Sequence, residues 1–435
     1  MAKPNRRAFR PVQERIPTTK TIRKNHQMST ETDWLDDAPW RSLREQWLLP
    51  EDVSYLNHGS FGPSPKPVRD ARQKWCDALE REPMDFFLRQ SEDELAAARE
   101  SLGRFIGASA KELVFVDNAT FGMNIVAAQV ELAPGDEVVL TDHEYGAVFR
   151  IWRDICQASG AELKVARLPF PLTDPTEIVD AVADTLTDRT KMLVVSHVTS
   201  ATATNFPVET ICKLARQRGV RICVDGPHAI AMVPLDLNAL GCDYYVASCH
   251  KWLSAPFGTG FLYVAKRHTQ KVQPVVRSWG GSLAGIPTGW QDEFQWIGTR
   301  DPSGFLAVPA AIAFLEEIGL EKFRQRTHAL ARYARQKIEA FTGLPTFLPD
   351  SIEWYGSMIS LPIPPSNDPD VGGVLRDPLQ TALWERERIE VPVFHWHERR
   401  FIRVSCHLYT STREIDRLVE CLQQHLPEFS TGFNV

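Results

Sequence analysis

One lysine stands out for the pattern on either side of it. Lys251 follows the apolar run of residues 244–247 and precedes a Gly-rich turn at residues 254–260, and Asp225 closes another apolar run, residues 221–224. An amine held between a strand end and a turn can lose enough solvation to act as a nucleophile, and a buried carboxylate requires a cationic partner. Both requirements meet in pyridoxal phosphate (PLP), which forms a Schiff base with a lysine and has a ring nitrogen that an aspartate keeps protonated.

Those side chains need a scaffold that gathers strand ends, and the sequence predicts one. Beyond Gly107, short runs rich in Val, Leu and Ile alternate with helical periodicity, as in strands covered on both faces. We therefore predict an α/β fold with a mostly parallel seven-stranded sheet, in which one of the last two strands runs antiparallel because their connection is short. The predicted strands are residues 113–116, 137–140, 163–168, 192–197, 221–224, 244–247 and 261–264, and the helices between them include residues 121–131, 148–159, 175–186 and 208–218.

The flanking chain is predicted to add a smaller α+β domain and an N-terminal segment. Its predicted elements are helices at residues 34–49, 67–80, 91–106, 309–318, 321–341 and 411–425, strands at 357–361 and 401–405, an aromatic loop at 81–90 and a linker at 279–304. Ser91 and Glu94 have the spacing of a capping box. The predicted division is a disordered basic tail at 1–27, a segment at 28–65 that packs on the small domain, a large PLP-binding domain at 66–298 and a small domain at 299–435.

Composition excludes several classes of function. The 435 residues are 43% hydrophobic and 24% charged, with a formal net charge of −6, which does not indicate a nucleic-acid partner. No apolar stretch approaches the roughly 18 residues needed to span a bilayer. The eight cysteines form no CxxC pair and are expected to be reduced thiols, so we predict a cytoplasmic enzyme. Met28 directly follows the basic tail and is an alternative start of the chain.

Ligands bind at the carboxyl ends of parallel strands, so the residues at those ends are the candidate site. Residues 117–122 open a helix with Ala119 and Thr120, whose backbone N–H groups suit a phosphate, although Asn118 and Thr120 also suit simple helix caps. Tyr145 follows the second strand and either stacks on a cofactor ring or packs in the core. The remaining candidates at strand ends are Thr199, Ser200, Thr202, His228, Ser248 and His250.

Several motifs, taken together, carry a family resemblance. The segments SCHKW, VDGPHA and RVSCHLYTSTREID resemble class V aminotransferases, which are PLP enzymes of fold type I. Within that family, YLNHGSFG, EYGA and SHVTSATATNFPV are similar to the isopenicillin N epimerase-like branch, which is related to cysteine desulfurases and selenocysteine lyases. The resemblance covers residues 50 to 425, approximately, and the motifs agree in order and spacing.

The resemblance implies a role for each candidate. Lys251 would be the Schiff-base lysine, Asp225 the partner of the pyridinium nitrogen, and His228 a neighbour of the phenolate. The predicted phosphate ligands are Ala119, Thr120, Ser248 and His250, with Thr299 of IGTRDPSG reaching across a homodimer to the neighbouring active site. Tyr145 and Ser200 would contact the cofactor ring and its phenolate, and the predicted substrate ligands are Asn57, His58 and Arg403, the last for the α-carboxylate.

The sequence departs from the desulfurases in two ways. Tyr145 stands where they place a histidine over the ring, and residues 387–400 contain no nucleophilic cysteine. Persulfide chemistry is therefore disfavoured, and we expect an epimerase-like enzyme acting at Cα of an amino acid or an amino-acid-containing peptide. A C–S β-elimination lyase and an aminotransferase are the alternatives. His395 and His397 have the alternate spacing of a metal clamp but lack an evident third ligand, so no metal is predicted.

Overall fold

The computed structural model describes residues 31–279, 281–283, 289–368 and 376–431. The predicted basic tail at residues 1–27 lies outside the described residues. Within them the strands are β1 Ser54–Tyr55, β2 Leu113–Val116, β3 Glu137–Thr141, β4 Glu162–Ala166, β5 Thr190–Ser196, β6 Arg221–Asp225, β7 Tyr244–Ser248, β8 Gly260–Val264, β9 Met358–Pro362, β10 Ile389–Glu390, β11 Val393–Trp396 and β12 Arg399–Ser405.

The α-helices of the described residues vary from single turns to six turns. They are α1 Glu31–Leu35, α2 Arg41–Arg44, α3 Lys66–Arg81, α4 Pro83–Asp85, α5 Ser91–Ile106, α6 Ala119–Ala128, α7 Gly146–Ser159, α8 Pro175–Thr185, α9 Val208–Gln217, α10 Leu237–Leu240, α11 Asp292–Gln295, α12 Ser303–Leu306, α13 Val308–Ile318, α14 Leu320–Thr342, α15 Pro378–Glu387 and α16 Thr412–His425. A π-helix spans Phe86–Gln90, and a short 3-10 helix spans Ala110–Glu112.

The central sheet has the predicted seven strands, in the order β2-β8-β7-β6-β5-β3-β4. Only β8 runs antiparallel to its neighbours, so the prediction for the last two strands is confirmed. Successive residues of each strand enter opposite apolar layers, as with Val194, which packs with the layer of α6 and α7, and Val195, which packs with the layer of α8 and α9. Covering on both faces explains why these strands lack a polar side.

The C-terminal part is built on a three-stranded antiparallel sheet in the order β11-β12-β9. The N-terminal segment reaches it in two places: β1 pairs in parallel with β10, and the Asp37 carboxylate accepts hydrogen bonds from the backbone N–H of Thr412 and from Arg326. The described part of the N-terminal segment therefore contacts the C-terminal part of the chain. The domain boundaries themselves stay a prediction.

Four local predictions are wrong. Residues 34–49 form two short helices because Pro39 lies between them and lacks the N–H that a continuous helix requires. Residues 81–90 are helical rather than a loop, and the π-helix runs straight into α5. Ser91 is therefore no N-cap; its hydroxyl donates to the carbonyl of Phe87 at 3.0 Å, and the predicted capping box is absent. The linker at 279–304 contains α11, and part of α12 falls within it.

Within the described part of the chain, no single helix has the length and hydropathy of a membrane span. The segments Ser303–Ile318 and Leu320–Thr342 have the length and hydropathy of a span only when they are taken together, and the chain bends by 78° between them.

Candidate active site

Lys251 lies in the loop after β7, where its amine is 2.9 Å from Nε2 of His228. The indole N–H of Trp252 donates to Nδ1 of the same ring at 3.3 Å. A neutral imidazole that accepts a hydrogen bond at Nδ1 carries its proton on Nε2 and donates from there. Lys251 can accept that hydrogen bond only as a neutral amine. Burial, together with the positive charge of Arg403, lowers the pKa of Lys251 to about 7, while the charge of Asp225 opposes this shift. The contacts and the pKa thus describe a lysine poised as a nucleophile.

Asp225 is the last residue of β6, and β6 and β7 are parallel neighbours, so its carboxylate and the lysine loop emerge at the same sheet edge. The Asp225 side chain is buried, and no hydrogen-bond donor of the described residues binds its carboxylate. Burial raises its pKa to about 7, while the charge of Lys251 opposes the rise. The charge of Lys251 therefore offsets only part of the cost of burying this carboxylate.

His228 is buried beside the lysine, as the two contacts above require. Burial lowers its pKa well below the ordinary value, and the positive charges of Lys251 and Arg403 act in the same direction. The ring is therefore neutral and serves as a fixed hydrogen-bonding group.

Three of the predicted phosphate residues, Ala119, Thr120 and Ser248, lie at the start of α6. The Asn118 side chain caps this helix by accepting from the backbone N–H of Phe121, so the cap interpretation holds for Asn118. The backbone N–H of Ala119 donates to the Ser248 hydroxyl at 3.0 Å, and Thr120 is exposed on the first turn. His250, in the lysine loop, bonds through Nδ1 to the carbonyl of Thr259 at 3.2 Å. Binding of a phosphate by these groups stays a prediction.

Arg403 reaches the same region from β12 in the C-terminal part. Its Nη1 donates to the Ser200 carbonyl at 2.6 Å, and its Nη2 donates to the Ser60 hydroxyl at 2.8 Å. Its Nε is buried without a partner among the described residues. Burial lowers the pKa of the guanidinium to about 10, which still leaves it charged at neutral pH. A fixed cation with an unused donor suits a substrate carboxylate.

A cavity of about 560 Å³ adjoins Arg403. Tyr145, half-exposed at the N-terminus of α7, lies on its wall with Ser200, and Phe149, Phe394 and Trp396 supply apolar surface. The β11–β12 turn also reaches the wall, where the His397 ring lies 3.7 Å from the Asp142 carboxylate. The full lining is Asp142, Glu144, Tyr145, Gly146, Phe149, Val165, Arg167, Ser200, Ala201, Pro392, Phe394, Trp396, His397 and Arg403.

Of the predicted site residues, Tyr145, Ser200 and Arg403 line this cavity, and the others, including the predicted substrate ligands Asn57 and His58, do not. His58 is fully buried, with one ring nitrogen 2.8 Å from the Tyr409 hydroxyl and the other 2.9 Å from the Lys251 carbonyl. Neither nitrogen is left for a substrate, so the geometry favours support of the lysine loop. The Asn57 amide donates to Glu390, and Thr299 lies exposed on the molecular surface.

Glu144 is a site residue that the sequence prediction missed. Its buried carboxylate accepts from the hydroxyls of Thr141 at 2.7 Å and Ser196 at 2.6 Å, and from the Ser196 backbone N–H at 3.0 Å. Ser196 pairs with Asp225 in the sheet, so Glu144 fixes the strand beside the aspartate. Its position directly before Tyr145 was the available signal. Burial raises its pKa to about 7.

The two histidines of the possible metal clamp diverge. His397 stacks on Trp396, with ring centroids 4.1 Å apart, and lies beside Asp142, whereas His395 is on the paired strand β11. Among the residues that the structure describes, no group of three or more His, Cys, Asp or Glu side chains is arranged to hold a metal ion.

Comparisons with known proteins identify the family. Residues 63–418 match the family described as Aminotransferase class-V. The chain is 37% identical over 398 residues to isopenicillin N epimerase of Amycolatopsis lactamdurans, covering 88% of this chain and 98% of that protein. It is 30% identical over 392 residues to a cysteine desulfurase of Salmonella newport, covering 84% and 92%. The chain belongs to the class V aminotransferase family.

Solved structures share the fold. A mutant of C-DES with glycine covalently linked to its PLP cofactor superposes with a TM-score of 0.73 at 22% identity, covering 87% of this chain and 98% of that one. An apo cysteine desulfurase of Thermococcus onnurineus NA1 gives 0.72 at 20% identity, covering 89% and 98%. The α/β architecture is that of fold type I PLP enzymes, and the chain is an enzyme of this family.

The residues present fit PLP. Asp225 offers a buried carboxylate that suits a protonated ring nitrogen, and Lys251 offers an amine whose pKa of about 7 leaves a large fraction of it neutral at pH 7. The N-terminal turn of α6 and Ser248 lie at the same edge of the sheet, which suits a phosphate.

Proposed function

We propose that this protein uses PLP to change the configuration at Cα of an amino acid or an amino-acid-containing peptide, as an epimerase. The observation that carries the proposal is the assembly, at one sheet edge, of a neutral lysine, a buried carboxylate without a donor, and an arginine with an unused buried N–H. Residues far apart in sequence supply these groups, and each of them is costly to bury without a ligand.

Each residue then has one task. When bound, PLP supplies an electron sink that makes the Cα–H bond acidic. Asp225 would keep the ring nitrogen protonated, and Lys251 would anchor the cofactor aldehyde and then take the Cα proton on Nζ; inversion is completed by a proton that solvent delivers to the opposite face. His228 holds that Nζ in place from its 2.9 Å contact. Arg403 orients the substrate by its α-carboxylate, which fixes the Cα–H bond relative to Nζ.

Epimerisation is favoured over the alternatives by two observations. The relatives with the higher identities are named isopenicillin N epimerase, which is an argument by similarity. In addition, no cysteine lines the 560 Å³ cavity, so persulfide formation has no thiol there.

The proposal includes an assembly and a compartment. Thr299 is exposed and therefore free to contact a second copy, as expected for a homodimer whose active sites lie at the interface. A cytoplasmic location agrees with the eight free thiols.

The test separates the cofactor from the reaction. Borohydride treatment followed by peptide mass spectrometry should place the reduced cofactor on Lys251, and Lys251→Ala should lose the visible absorbance band. Candidate amino acids and peptides are then incubated in deuterium oxide, and enantiomer, pyruvate and keto acid are measured separately. We expect the inverted enantiomer with deuterium at Cα. Pyruvate or a keto acid as the main product would replace the epimerase by a lyase or an aminotransferase.

Arg403→Ala should raise KM at least about tenfold while leaving the cofactor absorbance unchanged, because a charge-assisted hydrogen bond is lost. Arg399→Ala, an exposed arginine on the same strand, is the matched control and should leave KM unchanged. Loss of cofactor in Arg403→Ala would contradict the assigned role, and a protein that takes up no PLP would contradict the proposed function.

A further inference from the structure

We propose that a second cavity, remote in sequence from the lysine loop, binds a small polyanion through its phosphate or carboxylate groups. This arginine cavity has a volume of about 740 Å³ and lies between the N-terminal segment and the start of α16. Its lining is Asp37, Trp40, Arg41, Arg44, Glu51, Val53, Ser54, Arg326, Leu408, Tyr409, Thr410, Ser411, Arg413, Glu414 and Arg417.

The arginine cavity carries an excess of positive charge, with five arginines and three carboxylates in its lining. Two of the three carboxylates are already used within the protein. Asp37 pairs with Arg326 and accepts from Thr412, and Glu414 completes the capping box of α16 with Ser411. Only Glu51 has no partner within the described residues.

Two guanidinium groups have buried donors that no acceptor of the described residues satisfies. The Arg326 side chain is fully buried, and its Nε has no partner although Nη1 and Nη2 are bonded to Trp34 and Thr410. Arg44 donates through Nη2 to the Pro50 carbonyl at 3.1 Å, but its buried Nη1 has no partner. Buried donors without acceptors are costly. An oxyanion in the cavity would supply the missing acceptors.

The chemistry of the lining selects an anion with several oxygens. Guanidinium groups bind phosphate and carboxylate through paired N–H donors. The exposed side chains of Arg41 and Arg413 have no acidic partner among the described residues and can close on such a group from the rim. The 14-residue helix α16 also begins here and adds the positive end of its dipole.

The arginine cavity is connected to the lysine loop by two hydrogen bonds. Tyr409 lies on the cavity wall with the Arg44 guanidinium 5.8 Å from its ring centroid, and its hydroxyl is 2.8 Å from Nδ1 of His58. Nε2 of His58 is 2.9 Å from the Lys251 carbonyl. An anion that reorients Arg44 therefore acts on the wall that positions the lysine loop. This second part rests on the proposed function, because its readout is the bound cofactor.

Calorimetric titration of the purified full-length protein with pyrophosphate and with citrate tests the binding site. The buffer must contain no phosphate or sulfate, and excess PLP must be removed because PLP itself carries a phosphate. We expect saturable binding of at least one probe, and the probe that binds more tightly identifies the oxyanion class. Arg41→Ser combined with Arg413→Ser should weaken that binding at least about tenfold, since both side chains are exposed and the fold is retained.

The matched control is Arg104→Ser combined with Arg218→Ser, which removes the same charge from exposed sites on α5 and just after α9. The control should bind as the unchanged protein does. Equal weakening in both double variants would indicate non-specific attraction and overturn the site, as would the absence of binding of both probes.

The connection to Lys251 is tested on the PLP-loaded protein. A saturating probe should shift the visible absorbance band or its pH midpoint, and Tyr409→Phe should abolish the shift while calorimetry still detects binding. An unchanged band in the unsubstituted protein would overturn the connection and leave the binding site standing. A colourless protein that still binds the probe would contradict the proposed function alone.

Discussion

At the scale of single residues, Lys251 and Asp225 have pKa values that burial moves in opposite directions toward neutrality. Near pH 7 the pair is divided between a charged and an uncharged state in the protein without cofactor. A protonated ring nitrogen beside Asp225 would stabilise the charged carboxylate, so cofactor binding and the ionisation of Asp225 are linked. The Asp225 carboxylate therefore destabilises the cofactor-free protein and stabilises the complex with PLP.

Asp225→Asn should stabilise the cofactor-free protein in a pH-dependent way. The pKa of Asp225 is raised to about 7 in the folded state, so the folded protein releases this proton later than the unfolded chain does. Stability from this group is complete below the pKa of the unfolded chain and is lost as the pH rises toward 7. We expect the free energy of unfolding in urea to exceed that of the unsubstituted protein by about 3 kcal/mol at pH 8 and to be similar at pH 4.

The exposed substitution Asp180→Asn on α8 is the control and should change unfolding at neither pH. If Asp225→Asn and the unsubstituted protein have the same free energy of unfolding at pH 8, Asp225 has a partner that offsets the cost of its burial.

At the scale of elements, the spacing of β6 and β7 sets the distance between the aspartate and the lysine loop. Gly226 follows β6 where the chain passes the Tyr245 side chain of β7; a Cβ at this position would lie 2.0 Å from the Tyr245 hydroxyl. That hydroxyl is held 2.9 Å from Nδ1 of His197 at the end of β5. The residue after the aspartate must therefore lack a side chain.

Gly226→Ala should displace the end of β6, because neither the buried ring of Tyr245 nor the sheet has room to yield. We expect a loss of roughly 3 kcal/mol or more in the free energy of unfolding, and a loss of PLP absorbance in the protein that still folds. Gly289→Ala is the control, since nothing lies within 4 Å of a Cβ built there and Gly289 does not line the cavity. Retention of full stability and cofactor by Gly226→Ala would show that the strands separate easily.

At the scale of the whole molecule, several large apolar side chains remain exposed on the surface. Phe61, Tyr145, Phe257 and Trp279 are each at least half-exposed. Exposed apolar side chains that form a contiguous patch are typical of an interaction surface. A second copy of the chain would cover it and bring Thr299 toward a neighbouring cofactor.

A homodimer with shared sites can be tested by mixing variants. Sedimentation should give twice the 49.2 kDa mass of the chain. Thr299→Ala should retain PLP poorly, and Lys251→Ala should not anchor it. In a mixed dimer, the lysine of the first subunit faces the intact Thr299 of the second, so PLP retention should return at one of the two sites. A monomer, or no recovery on mixing, would contradict the cross-subunit role.

The sequence by itself determined the sheet, the lysine and the aspartate. Short apolar runs bounded by polar strand ends are a local pattern, and parallel strands place their carboxyl ends at one edge whatever the rest of the chain does. Local sequence signals did not predict the π-helix before α5. Nor did they predict the pairing of β1 with β10, whose residues are distant in sequence and adjacent in space.

Only the tertiary structure decided how the site is supported. Arg403 meets Ser200 and Ser60, which lie 203 and 343 residues away in sequence. His58 supports the Lys251 carbonyl from 193 residues away, although its motif suggested a substrate contact. Such contacts depend on how distant elements pack, and packing is set by the summed burial of the whole core, which leaves no mark on any one stretch of sequence.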